Sequence, residues 1–223
     1  MSLQQQRSSL IKPFISQKLT SPAEFNKLSA YFKRTITAKY LIMKKSKEYL
    51  LDPFFRDIDS QWQHEIPELS AVFEEERFSP GERLINDWGE LYLIVDGIFG
   101  KYEKTCPVRY AISGESLMIP NHKHRYQFIA LSDCHTYRTS LRQLEEINAR
   151  NSKVFHLYAN LRDKQQTYLD YRHKLLSLNN QDKYDFVFDK YPDLRSYVKH
   201  HELARFMGIS SELLRRLLRD HDC

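Results

Sequence analysis

Apolar positions along the chain change period twice. Residues 1–20 are polar and Gln/Ser-rich, with only scattered apolar positions. Ser21-Pro22-Ala23-Glu24 then reads as a helix start: the serine caps, the proline fits the first turn, and Glu24 completes a capping box. Phe25, Leu28, Tyr31 and Phe32 follow at helical spacing. A second helical stretch is expected over residues 40–51, with Lys39, Lys44, Lys45 and Lys47 on or beside it, and Asp52-Pro53 should end it. The lysines read most simply as a solvated helix face, with contact to DNA phosphates or another acidic partner as the functional alternative.

Past Pro67 the period shortens. Residues 68–73 look like a short helix, and the chain then becomes strand-like. Residues 77–85 read as strand, Pro80-Gly81 turn, strand, and Leu91–Val95 is a β-rich run. Asp96-Gly97 is a tight-turn pair leading to a strand over Ile98–Tyr102, and residues 109–112, 126–131 and 136–139 supply further short strands. Many short strands separated by turns predict a small sandwich or barrel of the jelly-roll kind.

After Thr139 the helical period returns. Ser140 opens a short helix, Asn151-Ser152 interrupts it, and a long helix follows with Val154, Tyr158, Leu161, Tyr168 and Leu175 on one seam. Gln165 and Arg172 fall in that seam, so packing on the chain's own sandwich and pairing with a second copy are both open. Residues 179–182 form a polar break, and Tyr191-Pro192-Asp193 separates a further helix from the last stretch. There Leu203, Ala204, Met207, Ile209, Leu214 and Leu217 fit two short helices crossing around a turn at Gly208. Ser210 or Ser211 can cap the second helix. The outward face would then carry Ser210, Ser211, Glu212, Arg215, Arg216 and Arg219, chemistry suited to base edges and phosphates.

Composition narrows the class. With 41% apolar and 28% charged residues the sequence is that of a globular protein, and 223 residues suffice for one large domain or two modest ones. No apolar run reaches the roughly 20 residues that cross a membrane, and no secretory signal is read at the N-terminus. Cys106, Cys134 and Cys223 make neither a disulfide framework nor a metal-ligand set, which favours a reducing cytoplasm. The net charge of +5 is uneven: residues 1–60 hold 11 Lys+Arg against 5 Asp+Glu, whereas residues 183–223 hold 8 against 7. The positive charge of the C-terminal end is thus concentrated on one helix face rather than spread over the unit.

The order of parts resembles the Crp/Fnr bacterial transcription regulators. The resemblance rests on Phe78-Ser79-Pro80-Gly81-Glu82 followed by Leu84-Ile85, on Leu91-Tyr92, Ile94 and Gly97, on the long helix, and on the tail from Tyr191-Pro192-Asp193 through Glu202–Glu212. It covers residues 68–220, and its tail is similar to members common in Bacteroidetes-type bacteria. It implies an α+β fold: a jelly-roll, cyclic-nucleotide-binding-like domain, a long dimerisation helix and a C-terminal helix-turn-helix, here with an extra helical N-terminus. It also implies a homodimer on double-stranded DNA, with RNA polymerase as a further partner. Glu212 and Arg216 match the family's base-reading Glu and Arg, and Arg219 is better placed for phosphate. Gly114 and Glu115 match the start of the family's nucleotide cassette, with Arg125 as the nearest arginine. Leu117-Met118-Ile119-Pro120 interrupts the pattern, so control by cyclic nucleotide is not expected. The absence of cysteine from the N-terminal region excludes the iron–sulfur variant. About seventy residues precede the sandwich, where the family has far fewer.

The expected organisation is a helical extension over 1–66, the sensor-like domain over 67–140, connecting and dimerisation helices over 141–178, and the DNA-binding domain over 179–223. His122, His124, Cys134 and His135 are close in sequence but read as a polar turn rather than a metal site. No nucleophile elbow, phosphate loop or paired catalytic carboxylates appear, so no enzyme and no cofactor are expected. The alternative to a DNA-binding regulator is a protein-interaction module of the same fold.

Overall fold

The computed structural model describes residues 46–85 and 89–221. The expected helix from Ser21, and Lys39, Lys44 and Lys45, lie outside the described residues. The first described helix, α1 (Lys47–Phe55), does not stop at Asp52-Pro53 as expected. Pro53 cannot donate back to the preceding turn, yet the helix continues because Leu51, Phe54 and Phe55 are all buried and hold the last turn in place. Asp52 is engaged rather than terminal: it accepts from the Trp62 indole at 3.2 Å and pairs with Arg56. A one-turn helix α2 (Trp62–Glu65) follows, and the short helix expected over 68–73 is a 3₁₀ turn at Ser70–Val72.

Among the described residues, seven antiparallel strands make two facing sheets: β1 (Glu74–Phe78), β2 (Glu90–Asp96), β3 (Ile98–Glu103), β4 (Cys106–Ile112), β5 (Ser116–Met118), β6 (Tyr126–Ala130) and β7 (Cys134–Ser140). Their orders are β1-β7-β2-β5 and β4-β3-β6. Tyr92, Ile94, Phe99, Ala111, Leu117 and Phe128 fill the space between them. The outer face of the first sheet, with Leu91, Leu93 and Tyr137, packs on α1, α2 and the helices after β7. That core holds Leu51, Trp62 and Ile66 together with sandwich residues, so it spans the 66/67 boundary expected from sequence. The outer face of the second sheet, through Tyr110, packs on the C-terminal helices. Coverage on both faces explains why β2 reads as a continuous apolar run.

Asp96-Gly97 is not a hairpin turn. β2 and β3 belong to different sheets, so the pair is a corner where the chain crosses from one to the other. Gly97 has φ +100°, and a Cβ there would lie 2.5 Å from Cys134 Sγ and 2.6 Å from the Asp133 carbonyl.

Beyond the sandwich, α3 (Leu141–Asn148) starts on a capping box between Ser140 and Gln143. Asn151 makes the expected interruption by donating to the Glu65 carbonyl at 2.7 Å and accepting from Lys153 N. The long helix α4 spans Lys153–Ser177, and α5 (Asn180–Lys190) begins at once, its first turn capped by the Asn179 side chain. The polar break is therefore shorter than expected, because Asn180 to Asp182 are helical. A one-turn helix α6 (Leu194–Tyr197) leads to α7 (His200–Met207) and α8 (Ser211–His221). Among the described residues no helix is long and apolar enough to cross a membrane.

Replacing Gly97 with Ala forces both an unfavourable φ and a clash with backbone. The expected cost is about 3 kcal/mol, a fall in Tm of about 6–12 °C. An unchanged melting curve would show that the corner is not under this constraint.

Candidate functional site

The last two helices form a pair around a three-residue turn. Leu203, Ala204, Phe206 and Met207 of α7 are buried with Leu214 and Leu217 of α8. Gly208 at φ +68° ends α7, and the Ile209 amide returns to the Ala204 carbonyl at 3.0 Å. Ser210 starts α8: its hydroxyl accepts from the Leu213 amide at 3.1 Å, so the cap is Ser210 rather than Ser211. At the far end, His221 stacks on Tyr184 of α5 with centroids 4.0 Å apart. Of the predicted face, Ser210, Glu212, Arg215, Arg216 and Arg219 are exposed and Ser211 is half-buried. Glu212 accepts from Arg215, while Arg216 and Arg219 hold no hydrogen bond or ion pair among the described residues.

A polar clasp sets α7 against the second sheet. The Glu202 carboxylate accepts from Tyr102 Oη at 2.5 Å and from Tyr110 Oη at 3.0 Å. Arg205 donates to the Thr105 carbonyl at 3.0 Å, and Tyr191 Oη donates to the Tyr110 carbonyl at 3.0 Å. Phe206 lies edge-on to the Tyr110 ring at 4.7 Å and beneath the Arg172 guanidinium at 4.8 Å. Burial, and then the hydrogen bond and charge of Glu202, raise the Tyr102 phenol well above its ordinary range; burial and the Glu202 charge do the same at Tyr110. Both hydroxyls therefore remain donors at any physiological pH.

On the opposite face of the same strands lies a cavity of about 670 Å³, between the sandwich and α4. Met118, Ile119, Leu141, Leu144, Val154 and Tyr158 give it apolar walls, and Lys101, Arg109, Arg162 and Arg172 give it charge. Arg109 donates to Gln165 at 2.6 Å and to Glu115 at 3.0 Å, and it lies 3.4 Å over the Tyr168 ring. Lys101 sits 3.8 Å over the Tyr126 ring. Burial, and then the like charge of Arg109, bring the Lys101 ammonium down to about 8.

The three residues expected to form an effector pocket are not brought together. Gly114 is an exposed turn at φ +85°, Arg125 is exposed, and neither lines the cavity. Glu115 is consumed by ion pairs with Arg109 at 3.0 Å and Lys190 at 3.1 Å. The cations that do line the cavity were present in the sequence as misfits. Lys101 and Arg109 share the inward face of their strands with Phe99 and Ala111, where an apolar residue is the rule, and Arg172 interrupts the apolar seam of α4. His122, His124, Cys134 and His135 do not converge: among the described residues no group of three or more metal-ligating side chains is found.

Comparison with protein-family profiles gives no match, and neither does comparison with curated proteins. Solved structures do match, at low identity. A crp/fnr-family transcriptional regulator from Eubacterium rectale is 12% identical with a TM-score of 0.55, over 76% of this chain and 86% of that one. FixK2 from Bradyrhizobium japonicum is 16% identical with a TM-score of 0.54, over 67% and 84%. A cyclic nucleotide-binding domain containing protein from Listeria monocytogenes is 12% identical with a TM-score of 0.54, over 74% and 88%. The chain has the fold of these proteins.

Lys101 gives a test of the cavity's electrostatics. Its lowered value means the unfolded chain binds more protons between about pH 8 and 10.5, so its burial destabilises the fold fully below that window and less above it. Lys101→Met should raise stability at pH 7 by about 1 kcal/mol, or about 3 °C in Tm, after loss of the cation–π contact. The gain should shrink as pH rises through the window. A variant less stable than the parent at pH 7 would refute this account.

Proposed function

We propose that this chain is a DNA-binding transcription regulator of the Crp/Fnr type, acting as a homodimer. The observation that carries the reading is the division of α8: Leu214 and Leu217 are buried against α7, while Glu212, Arg215, Arg216 and Arg219 are exposed on the other side. Such a helix can enter a major groove. Glu212 can accept from a cytosine amino group, Arg216 one turn later can donate a fork to guanine, and Ser210, Ser211, Arg215 and Arg219 suit the flanking bases and phosphates. The likeness in fold to a crp/fnr regulator supports the assignment.

The dimer reading rests on α4. Its own-chain seam buries Val154, Leu157, Leu161 and Leu175, yet Phe155, Leu169 and Leu176 remain 60%, 50% and 46% exposed. They recur at multiples of seven residues, the repeat by which two helices pair. Two copies joined this way present two α8 helices, and the site they read is palindromic, with half-sites about 34 Å apart. Residues 119–125 lack the arginine and hydroxyl pair of a nucleotide cassette, which argues against control by cyclic nucleotide.

Selection of bound sequences from a random DNA pool, followed by affinity across a salt series, tests the function. An enriched palindrome with a steep salt slope is expected; shallow, sequence-blind binding would favour the protein-interaction module instead. Arg216→Ala should relax base preference at one position by about 1–3 kcal/mol. Arg219→Ala should weaken all sequences alike and lower the salt slope by about 1. Equal losses on every sequence for both variants would remove the assigned reading roles. Leu169→Glu should weaken self-association by at least about tenfold in sedimentation, and no change would remove α4 as the dimer seam.

A further inference from the structure

We propose that Glu202 determines which separation of half-sites the dimer accepts, by fixing the tilt of the α7–α8 pair against the sandwich. The proposal rests on the regulator and dimer readings above, and it adds a positioning residue that touches no base.

The carboxylate has no room to slide. Its Oε1 accepts from Tyr102 Oη at 2.5 Å and from Tyr110 Oη at 3.0 Å, so one oxygen is shared between the paired strands β3 and β4. A shift of α7 along or across these strands stretches or bends at least one of the two bonds, and hydrogen bonds weaken steeply as they bend. Burial and the Glu202 charge keep both phenols protonated, so the arrangement holds across physiological pH.

A second anchor removes the remaining pivot. Arg205, three residues on, donates to the Thr105 carbonyl at 3.0 Å, in the short turn between β3 and β4. Glu202 and Arg205 thus tie the first and last turns of an eight-residue helix to the same hairpin. Two attached points set the direction of a rod, where one would leave it free to swing.

Stability alone does not call for a carboxylate here. Leu203, Ala204, Phe206 and Met207 already bury the inner side of α7, and Phe206 meets the Tyr110 ring edge-on at 4.7 Å. Such apolar contact is non-directional and tolerates neighbouring tilts at similar energy. Glu202 is half-buried and forms no ion pair among the described residues, so its charge is partly desolvated without a counter-charge. A directional contact kept at that cost selects one arrangement among several, as a polar residue in a helix seam selects register.

The tilt reaches DNA because α7 and α8 move as one. Leu203 and Met207 share a core with Leu214 and Leu217, and Gly208 closes the turn between the helices. In a two-fold dimer any tilt of α8 is made twice, and the two displacements add in the distance between recognition helices. Half-sites moved by one base pair differ by about 3.4 Å and about a tenth of a helical turn. The dimer can tell them apart only if the tilt is held.

The test measures affinity of the full chain for the enriched palindrome, for the same site with one base pair inserted or removed between half-sites, and for a single half-site. The parent should prefer its own spacing by at least about tenfold. Glu202→Ala, and separately the double variant Tyr102→Phe with Tyr110→Phe, should bring that preference below about threefold, with single half-site affinity within about threefold of the parent's. Glu202→Gln, whose amide oxygen still accepts from both phenols, should keep most of the preference. A folded Glu202→Ala chain with the parent's spacing preference overturns the proposal, as does one whose single half-site affinity falls as far as its palindrome affinity. A readout without DNA separates this from the regulator reading: pulsed electron-spin distances between labels at Glu146→Cys and Arg219→Cys, in a chain carrying Cys106→Ser and Cys223→Ser and mixed with excess unlabelled chain. One narrow distribution is expected for the parent and for Glu202→Gln, and a broad one for Glu202→Ala. Equal widths overturn the positioning role whether or not DNA is bound. A broad Glu202→Ala distribution with no palindrome enriched removes the regulator reading and leaves Glu202 as the residue that sets the tilt.

Discussion

The two-residue period of a β-strand is the constraint on which the rest of this structure depends. Adjacent side chains must leave a strand on opposite faces. In β3 and β4 this places Lys101 and Arg109, directly paired in register, toward the cavity, and it places their neighbours Tyr102 and Tyr110 toward α7. A single pair of strands thus serves as the wall of a charged cavity and as the seat of the helix pair that faces DNA in the proposed function. No loop or linker intervenes between the two.

Both sides of that wall are polar where a sandwich would ordinarily be apolar, and the two are stabilised differently. On the α7 side, two phenols share one carboxylate, and each group has a partner that suits its charge state. On the cavity side, Arg109 pairs with Glu115 while Lys101 and Arg172 rest against aromatic rings, and two guanidinium nitrogens have no acceptor among the described residues.

Much of the fold was legible in the sequence, because it follows from period and from local chemistry. Most of the strands, the helix start at Ser140, the glycine at the end of α7 and the polar face of α8 are set by neighbours within a few residues, whereas the strand expected after Pro80-Gly81 is only a bridge at Arg83 and β5 was not read. The errors came where distant packing decides. Pro53 does not end α1, because Phe54 and Phe55 are drawn into a core built with β2 and α4. The effector pocket was placed by motif on Gly114, Glu115 and Arg125. The charged cavity was legible only as a violation of pattern: Lys101 and Arg109 on inward faces, and Arg172 in an apolar seam.

The junction after α4 has a mechanical meaning. Only Leu178 and Asn179 lie outside helix between the end of α4 at Ser177 and the start of α5 at Asn180. Each residue has two soft dihedral angles, so the covalent path from the long helix to the terminal helices has very few degrees of freedom. Asn179 spends part of even that freedom, because its side chain must stay in place to accept from the Asp182 amide. Any reorientation of the terminal helices about this junction is therefore taken up by the φ and ψ angles of two residues. The contacts around Glu202 and Phe206 then decide which of the orientations this short junction allows is held.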